Sequence, residues 1–220
     1  MGDNKSEVCS GASELLSSEW FKLVLSAAVG ATASYLFSNY ASITKANYLR
    51  RAMYEEANHV LFYVISYFEA VLEESEKGII DLGAGDSLYG PQYIDFSIFH
   101  EIVKASITSK RPPNRAQRQL THNIEKNILS TFEIDKNRYH DSTGAGRYHI
   151  KREESLHIAS RLCSTIFHLG QFVDLKDKFD FDAPSNEIVV DYVLKKSSLR
   201  GVNENSLNTI RNELIKKIRT

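Results

Sequence analysis

From Leu23 to Thr44 the chain runs for 22 residues without a charged side chain. A helix of that length can cross a hydrocarbon core of about 30 Å. The whole chain carries 27 basic and 28 acidic residues in 220, so the run stands apart from its surroundings. Its strongly apolar members, Leu23, Val24, Leu25, Val29, Leu36, Phe37 and Ile43, are worth roughly -2 to -4 kcal/mol on the insertion scale. Serine, threonine and asparagine offset much of that, which leaves a marginal span. Asp3, Glu7, Glu14 and Glu19 outweigh Lys5 ahead of the run, the opposite of the basic start of a signal peptide. Lys45, Arg50 and Arg51 follow it, and the positive-inside rule then puts the bulk of the chain in the cytoplasm. Trp20 and Tyr40 are candidate interfacial anchors.

Within the run a small or hydroxyl residue recurs at every fourth position: Ser26, Gly30, Ser34, Ser38 and Ser42. That period keeps them on one slowly drifting helical stripe, where small side chains let neighbouring helices approach or line a lumen. Self-association in a membrane accounts for both the stripe and the marginal hydrophobicity. The competing reading is a soluble helical scaffold whose first helix packs on its own core. On the membrane reading the chain divides into a polar tail and membrane helix at 1–44 and a cytoplasmic bundle at 45–220.

No helix breaker intervenes between Lys45 and Lys77. Met53, Ala57, Val60, Leu61, Val64, Tyr67, Phe68, Val71 and Leu72 fall mostly at three- and four-residue steps, the pattern of an amphipathic helix that is expected to continue the first as one rod. Gly78 is its expected stop. Ile79 to Ser87 resembles the first motif of the S-adenosylmethionine-dependent methyltransferases. That motif needs a strand before it, a helix after it and a parallel sheet around it, whereas here a long helix precedes and Pro91 follows. Further helices are expected at 91–107, from an Asn114 cap to about Lys136, at about 151–178, 186–199 and 205–219, with almost no strand-like alternation.

The net charge of -1 leaves no global footprint for nucleic acid, so such a partner must be recognised locally. Lys104, Lys110, Arg111, Arg115 and Arg118 gather positive charge around the Pro112–Pro113 turn, either as a solvated junction or as an RNA contact. Two copies of Arg-Tyr-His, at 138–140 and 147–149, flank a glycine-containing loop. Arg138, Tyr139, Arg147 and Tyr148 are the candidate RNA-binding residues, since these side chains can contact phosphates and stack on unpaired bases. Cys9 and Cys163 have neither metal-ligand nor redox-motif spacing. No metal and no cofactor is expected.

Arg152 and His157, separated by four residues, start the helix that follows. Histidine can move a proton at neutral pH, and arginine can hold a phosphate and offset charge developing on it. Arg115 with His122 and Arg161 with His168 meet a looser version of this spacing. On a straight helix residues five apart point about 140° from one another, and Glu153 and Glu154 are closer neighbours of His157. Those acids would repel RNA, so a catalytically silent site and a plain polar helix face both compete with catalysis.

The Arg-x-x-x-x-His pattern, near the start of a late helix in an all-α bundle, resembles the HEPN superfamily of RNA-associated domains. That resemblance implies Arg152 and His157 as catalytic residues of a dimeric, metal-independent endoribonuclease attacking through the RNA 2′-hydroxyl. Taken with the first helix, the whole chain resembles the small membrane-associated accessory proteins of type VI-B CRISPR systems. This second resemblance implies an all-α fold, a transmembrane or membrane-associated helix followed by a HEPN-like bundle. It also implies residence at the bacterial inner membrane and homo-oligomerisation into a pore. The implied partners are membrane lipid and an RNA-guided effector or its RNA. The alternative function is a membrane-tethered HEPN endoribonuclease.

Overall fold

The computed structural model describes residues 19–81, 96–141, 147–199 and 203–218. The chain is mostly helical. The first helix, α1 (Glu19–Lys77), is one unbroken element of 59 residues, about 88 Å long at 1.5 Å per residue. Its two halves live in different surroundings. The first buried residue is Ala46, and from there the three- and four-step apolar positions, Met53 through Leu72, are all buried. From Glu19 to Ser38 the helix is exposed throughout, and Asn39, Ser42 and Ile43 are half-buried. The helix does not pause between residues 44 and 45. Gly78, at φ +69°, ends it in the left-handed conformation glycine adopts without strain, its N–H donating to the Glu74 carbonyl.

After α1 come β1 (Ile79–Asp81), α2 (Ser97–Ile107), α3 (Arg115–Asp135), β2 (Tyr139–Asp141), β3 (Arg147–Ile150), α4 (Arg152–Leu175), a 3-10 turn (Lys176–Lys178), α5 (Asn186–Lys196) and α6 (Glu204–Ile218). Asn114 caps α3 as expected: its side chain accepts from the Gln117 N–H, while the Gln117 side chain accepts from the Asn114 N–H. Helix α4 is the hub, packed on α1, α3, α5 and α6. It buries Ile158, Leu162, Cys163, Ile166, Leu169 and Phe172, more than a single amphipathic stripe, because neighbours surround it. Burial pushes the Cys163 thiol up and keeps it protonated. At Gly170 a Cβ would stand 2.9 Å from the Tyr192 ring, so the close approach of α5 needs glycine there.

The expectation of almost no strand needs correction. The strands form a three-stranded antiparallel sheet in the order β1-β3-β2, with Ile80 opposite Tyr148 and Tyr139 opposite Ile150. Both Arg-Tyr-His copies thus reach into strands, where tyrosine and isoleucine fit a pleated surface. Strand β1, which opens the methyltransferase-like stretch, is an antiparallel edge strand. It lacks the parallel sheet that motif requires. The glycines of that stretch and of the loop between β2 and β3 lie outside the described residues.

Candidate functional site

Three places in the molecule bear on function. The first is the exposed stretch of α1. Trp20 is 78% exposed and Phe37 76%, and Leu23, Val24, Leu25, Val29 and Leu36 are exposed with them. An 18-residue window there has a mean hydropathy of 1.3, and none of it is buried inside the molecule. The same helix supplies the core from Ala46 onward, so it is shared between an exposed stretch and a packed one. Ser26, Gly30, Ser34 and Ser38 are exposed and Ser42 is half-buried. Ser26, Thr32, Ser42 and Thr44 turn their hydroxyls back to carbonyls three or four residues earlier, at 2.8–3.0 Å. Hydroxyls satisfied within their own helix are cheaper to take out of water.

The second place is the start of α4. Arg152 is its first helical residue and His157 lies five further along the same regular helix. Arg152 is taken up by carboxylates from two distant elements: Nη1 donates to Glu76 at the end of α1, and Nη2 to Glu213 of α6 at 2.8 Å. The hydrogen bond to Glu76 raises the Arg152 pKa further above its ordinary value. Glu153 is paired with Lys217 at 2.9 Å, which lowers its pKa. His157 is exposed, and its backbone carbonyl accepts from Ser160. This geometry ties Arg152 to acids rather than to the imidazole. The looser pairs fare no better. Arg161 donates to Ser130 at 2.6 Å, while His168 sits edge-on to Phe167 and Phe181 with its pKa lowered by burial. Arg115 and His122 are both exposed on α3.

The proposed RNA-binding residues separate into two groups. Arg138 is fully buried, its Nη1 2.7 Å from Glu74 and its Nε 2.8 Å from Asp135. Tyr139 donates to the same Glu74 at 2.9 Å, and its hydroxyl also meets the Arg138 guanidinium. Arg138 is withdrawn from the surface, whereas Tyr139 is half-buried: a guanidinium taken out of water needs its carboxylates and has nothing to offer a phosphate. Arg147 is exposed, with Nε 3.0 Å from Asp81, and Tyr148 is half-buried. Of the four, Arg147 is the exposed one, and the two tyrosines are each half-buried.

The third place was not singled out by the sequence. A cavity of about 710 Å³ lies against α1 just past its exposed stretch, lined by Arg50, Arg51, Tyr54, Arg111, Lys176 and Asp177 among others. Asp177 accepts from Arg50 and from the Tyr54 hydroxyl, the latter at 2.6 Å. Gln117 ties the wall together, donating to Tyr54 at 3.0 Å and to the Lys176 carbonyl at 2.8 Å. Burial, with Asp177 beside it, pushes the Tyr54 phenol up to about 12. Lys176 is held at φ 51°, ψ −114°, outside the regions a lysine ordinarily occupies. Lys176 is exposed and lines the cavity. In the sequence, Arg50 and Arg51 read as a topology signal and Arg111 as one charge at a helix junction. What joins them is the Pro112–Pro113 turn folding back on α1, where Arg111 donates to Asn47 at 3.0 Å and Lys110 to Asn39.

The fold and these sites define a mostly helical protein with a long exposed apolar helix at its N-terminal end. No protein-family model, curated protein or solved structure matches the chain.

Proposed function

We propose that the chain is a membrane-associated accessory effector of an RNA-targeting CRISPR antiviral defence system, oligomerising through α1 into a pore in the bacterial inner membrane. One observation carries the membrane half of this reading. The same helix that supplies the core from Ala46 onward leaves Glu19 to Ser38, which holds most of its uncharged run, exposed. Exposed apolar surface of that extent calls for lipid or another copy of the chain. The small-residue stripe offers copies a close approach, and Lys45, Arg50, Arg51, Lys110 and Arg111 gather at the end where cytoplasm would begin. The CRISPR half rests on the resemblance in architecture and in the Arg152 to His157 motif. Since Arg152 is bound to Glu76 and Glu213, the motif serves in this proposal as part of the HEPN-like scaffold rather than as a nuclease.

Fractionation of bacterial cells tests the first half. The protein should sediment with membranes and resist an alkaline carbonate wash, and Leu25→Lys with Phe37→Lys should release it, since neither side chain is buried in the bundle. Recovery of the unaltered protein in the soluble fraction would sink the membrane reading. Membrane potential tests the second half: it should collapse when the protein is expressed with an activated RNA-guided effector. An unchanged potential would remove the pore.

A further inference from the structure

We propose that the cavity between α1, the turn before α3 and the end of α4 is a binding site for a phosphate group, carried by a lipid headgroup or by a soluble phosphate ester. Four cations, Arg50, Arg51, Arg111 and Lys176, line it, against the two carboxylates of Glu55 and Asp177. They come from three separate elements. A solvated basic face of one helix does not bring charges together in this way; packing has to overcome their repulsion.

The carboxylates leave donors to spare. Arg51 meets Glu55 through Nε at 2.7 Å, and Arg50 meets Asp177 through Nη2. A guanidinium has five N–H donors in a planar fork that matches phosphate oxygens. Arg111 donates to the neutral Asn47 amide at 3.0 Å, so that bond does nothing to neutralise its charge. No carboxylate pairs with the Lys176 ammonium among the described residues, its backbone is at positive φ, and its carbonyl accepts from Gln117. Strain of this sort collects where a side chain must be aimed. The volume of about 710 Å³ is that of a small-molecule pocket rather than of a bare ion, which points to a phosphate with an organic group attached.

Position favours the lipid source. The cavity begins at Asn47, within a turn of the end of the uncharged run at Thr44, where headgroup phosphates of the cytoplasmic leaflet would lie. That preference rests on the membrane reading above; the phosphate chemistry does not.

The test uses the full chain purified in an uncharged detergent. Binding is measured to inorganic phosphate, to adenosine monophosphate, and to mixed micelles containing phosphatidylglycerol or phosphatidylcholine. At least one phosphate source should bind saturably, and Arg111→Gln with Lys176→Gln should weaken it by about tenfold or more, as expected for the loss of charge-assisted contacts. Lys126→Gln with Lys195→Gln, which removes the same charge elsewhere, should leave it unchanged. Asp177→Asn should tighten binding by freeing Arg50, an effect that a purely structural role for Asp177 does not produce. Saturation by phosphatidylglycerol alone assigns the site to a headgroup, and saturation by adenosine monophosphate or phosphate as well assigns it to soluble esters. No saturable binding, or equal losses in the two double variants, overturns the proposal. Membrane sedimentation without phosphate binding would sink this site alone, whereas phosphate binding by a protein that does not sediment would sink only the membrane reading.

Discussion

Arg138 Nη1 lies 2.7 Å from Glu74 Oε2 with the arginine side chain wholly buried, so the end of α1 is fastened to the start of the hairpin by an ion pair out of reach of water. Asp135 contacts the same guanidinium from α3, and Tyr67 lies beside Asp135, its phenol pushed up by burial. Removing the arginine leaves buried carboxylates without their cation. Arg138→Ala should cost about 3–5 kcal/mol of folding stability, measured by urea denaturation. A loss of less than about 1 kcal/mol would mean that the pair is solvated in solution.

The resemblance of Arg138 to an RNA contact follows from what a local pattern can convey. Arg-Tyr-His in a polar loop is what a surface contact looks like, and the carboxylate that buries Arg138 lies 64 residues earlier. The buried half of α1 was legible because helical packing is local: Met53 through Leu72 repeat at the period that places them on one face. The Asn114 cap and the Gly78 stop were legible for the same reason, each being written within a few residues. The cavity was not. Arg111 reaches Asn47 across 64 residues, and Arg50 reaches Asp177 across 127, and neither pairing leaves a trace in spacing. Strands of three and four residues carry too little alternation to mark the sheet in the sequence.

Tyr54 makes alkaline stability a probe of the cavity wall. Its phenol is held neutral up to about pH 12 in the folded chain, against about 10 in an unfolded one. The folded pKa is the higher, so this contribution is fully present below pH 10 and is lost as pH rises through 12. Urea midpoints should therefore fall over pH 10–12. Tyr54→Phe should be less stable at neutral pH, having lost its bonds to Asp177 and Gln117, and should fall less steeply over that window. Tyr67 and Tyr192, also pushed up by burial, account for what remains. An identical slope in the variant would show that Tyr54 ionises freely.

The contact of Gly170 with Tyr192 sets the spacing of α4 and α5. A Cβ at position 170 would lie 2.9 Å from two carbons of a ring that is itself tied to Asp174 at 3.1 Å, so the ring cannot give way freely. Gly170→Ala should lower stability by about 1–3 kcal/mol despite alanine's better helix propensity. Tyr192→Leu is expected to recover part of that loss when combined with it, giving a coupling of about 0.5 kcal/mol or more in a double-mutant cycle. Additive losses would mean that α5 moves as a unit and the contact is soft.

Arg152 and His157 share a motif in the sequence but do different work in the fold. Arg152 joins α4 to the end of α1 through Glu76 and to α6 through Glu213, while His157 faces solvent. The pairs are partly exposed, with the arginine side chain 39% accessible, so screening limits their worth. Arg152→Ala should cost about 1 kcal/mol in thermal or urea denaturation, and His157→Ala should stay within about 0.5 kcal/mol of the parent. Because the guanidinium is bound to two acids, the unaltered protein is expected to leave single-stranded RNA intact in the presence of a chelator. Glu76→Gln with Glu213→Gln would free Arg152 for a phosphate, so this variant should gain RNA affinity without gaining stability. Cutting by the unaltered protein that disappears in His157→Ala would return the pair to catalysis, with a second copy of the chain completing the site.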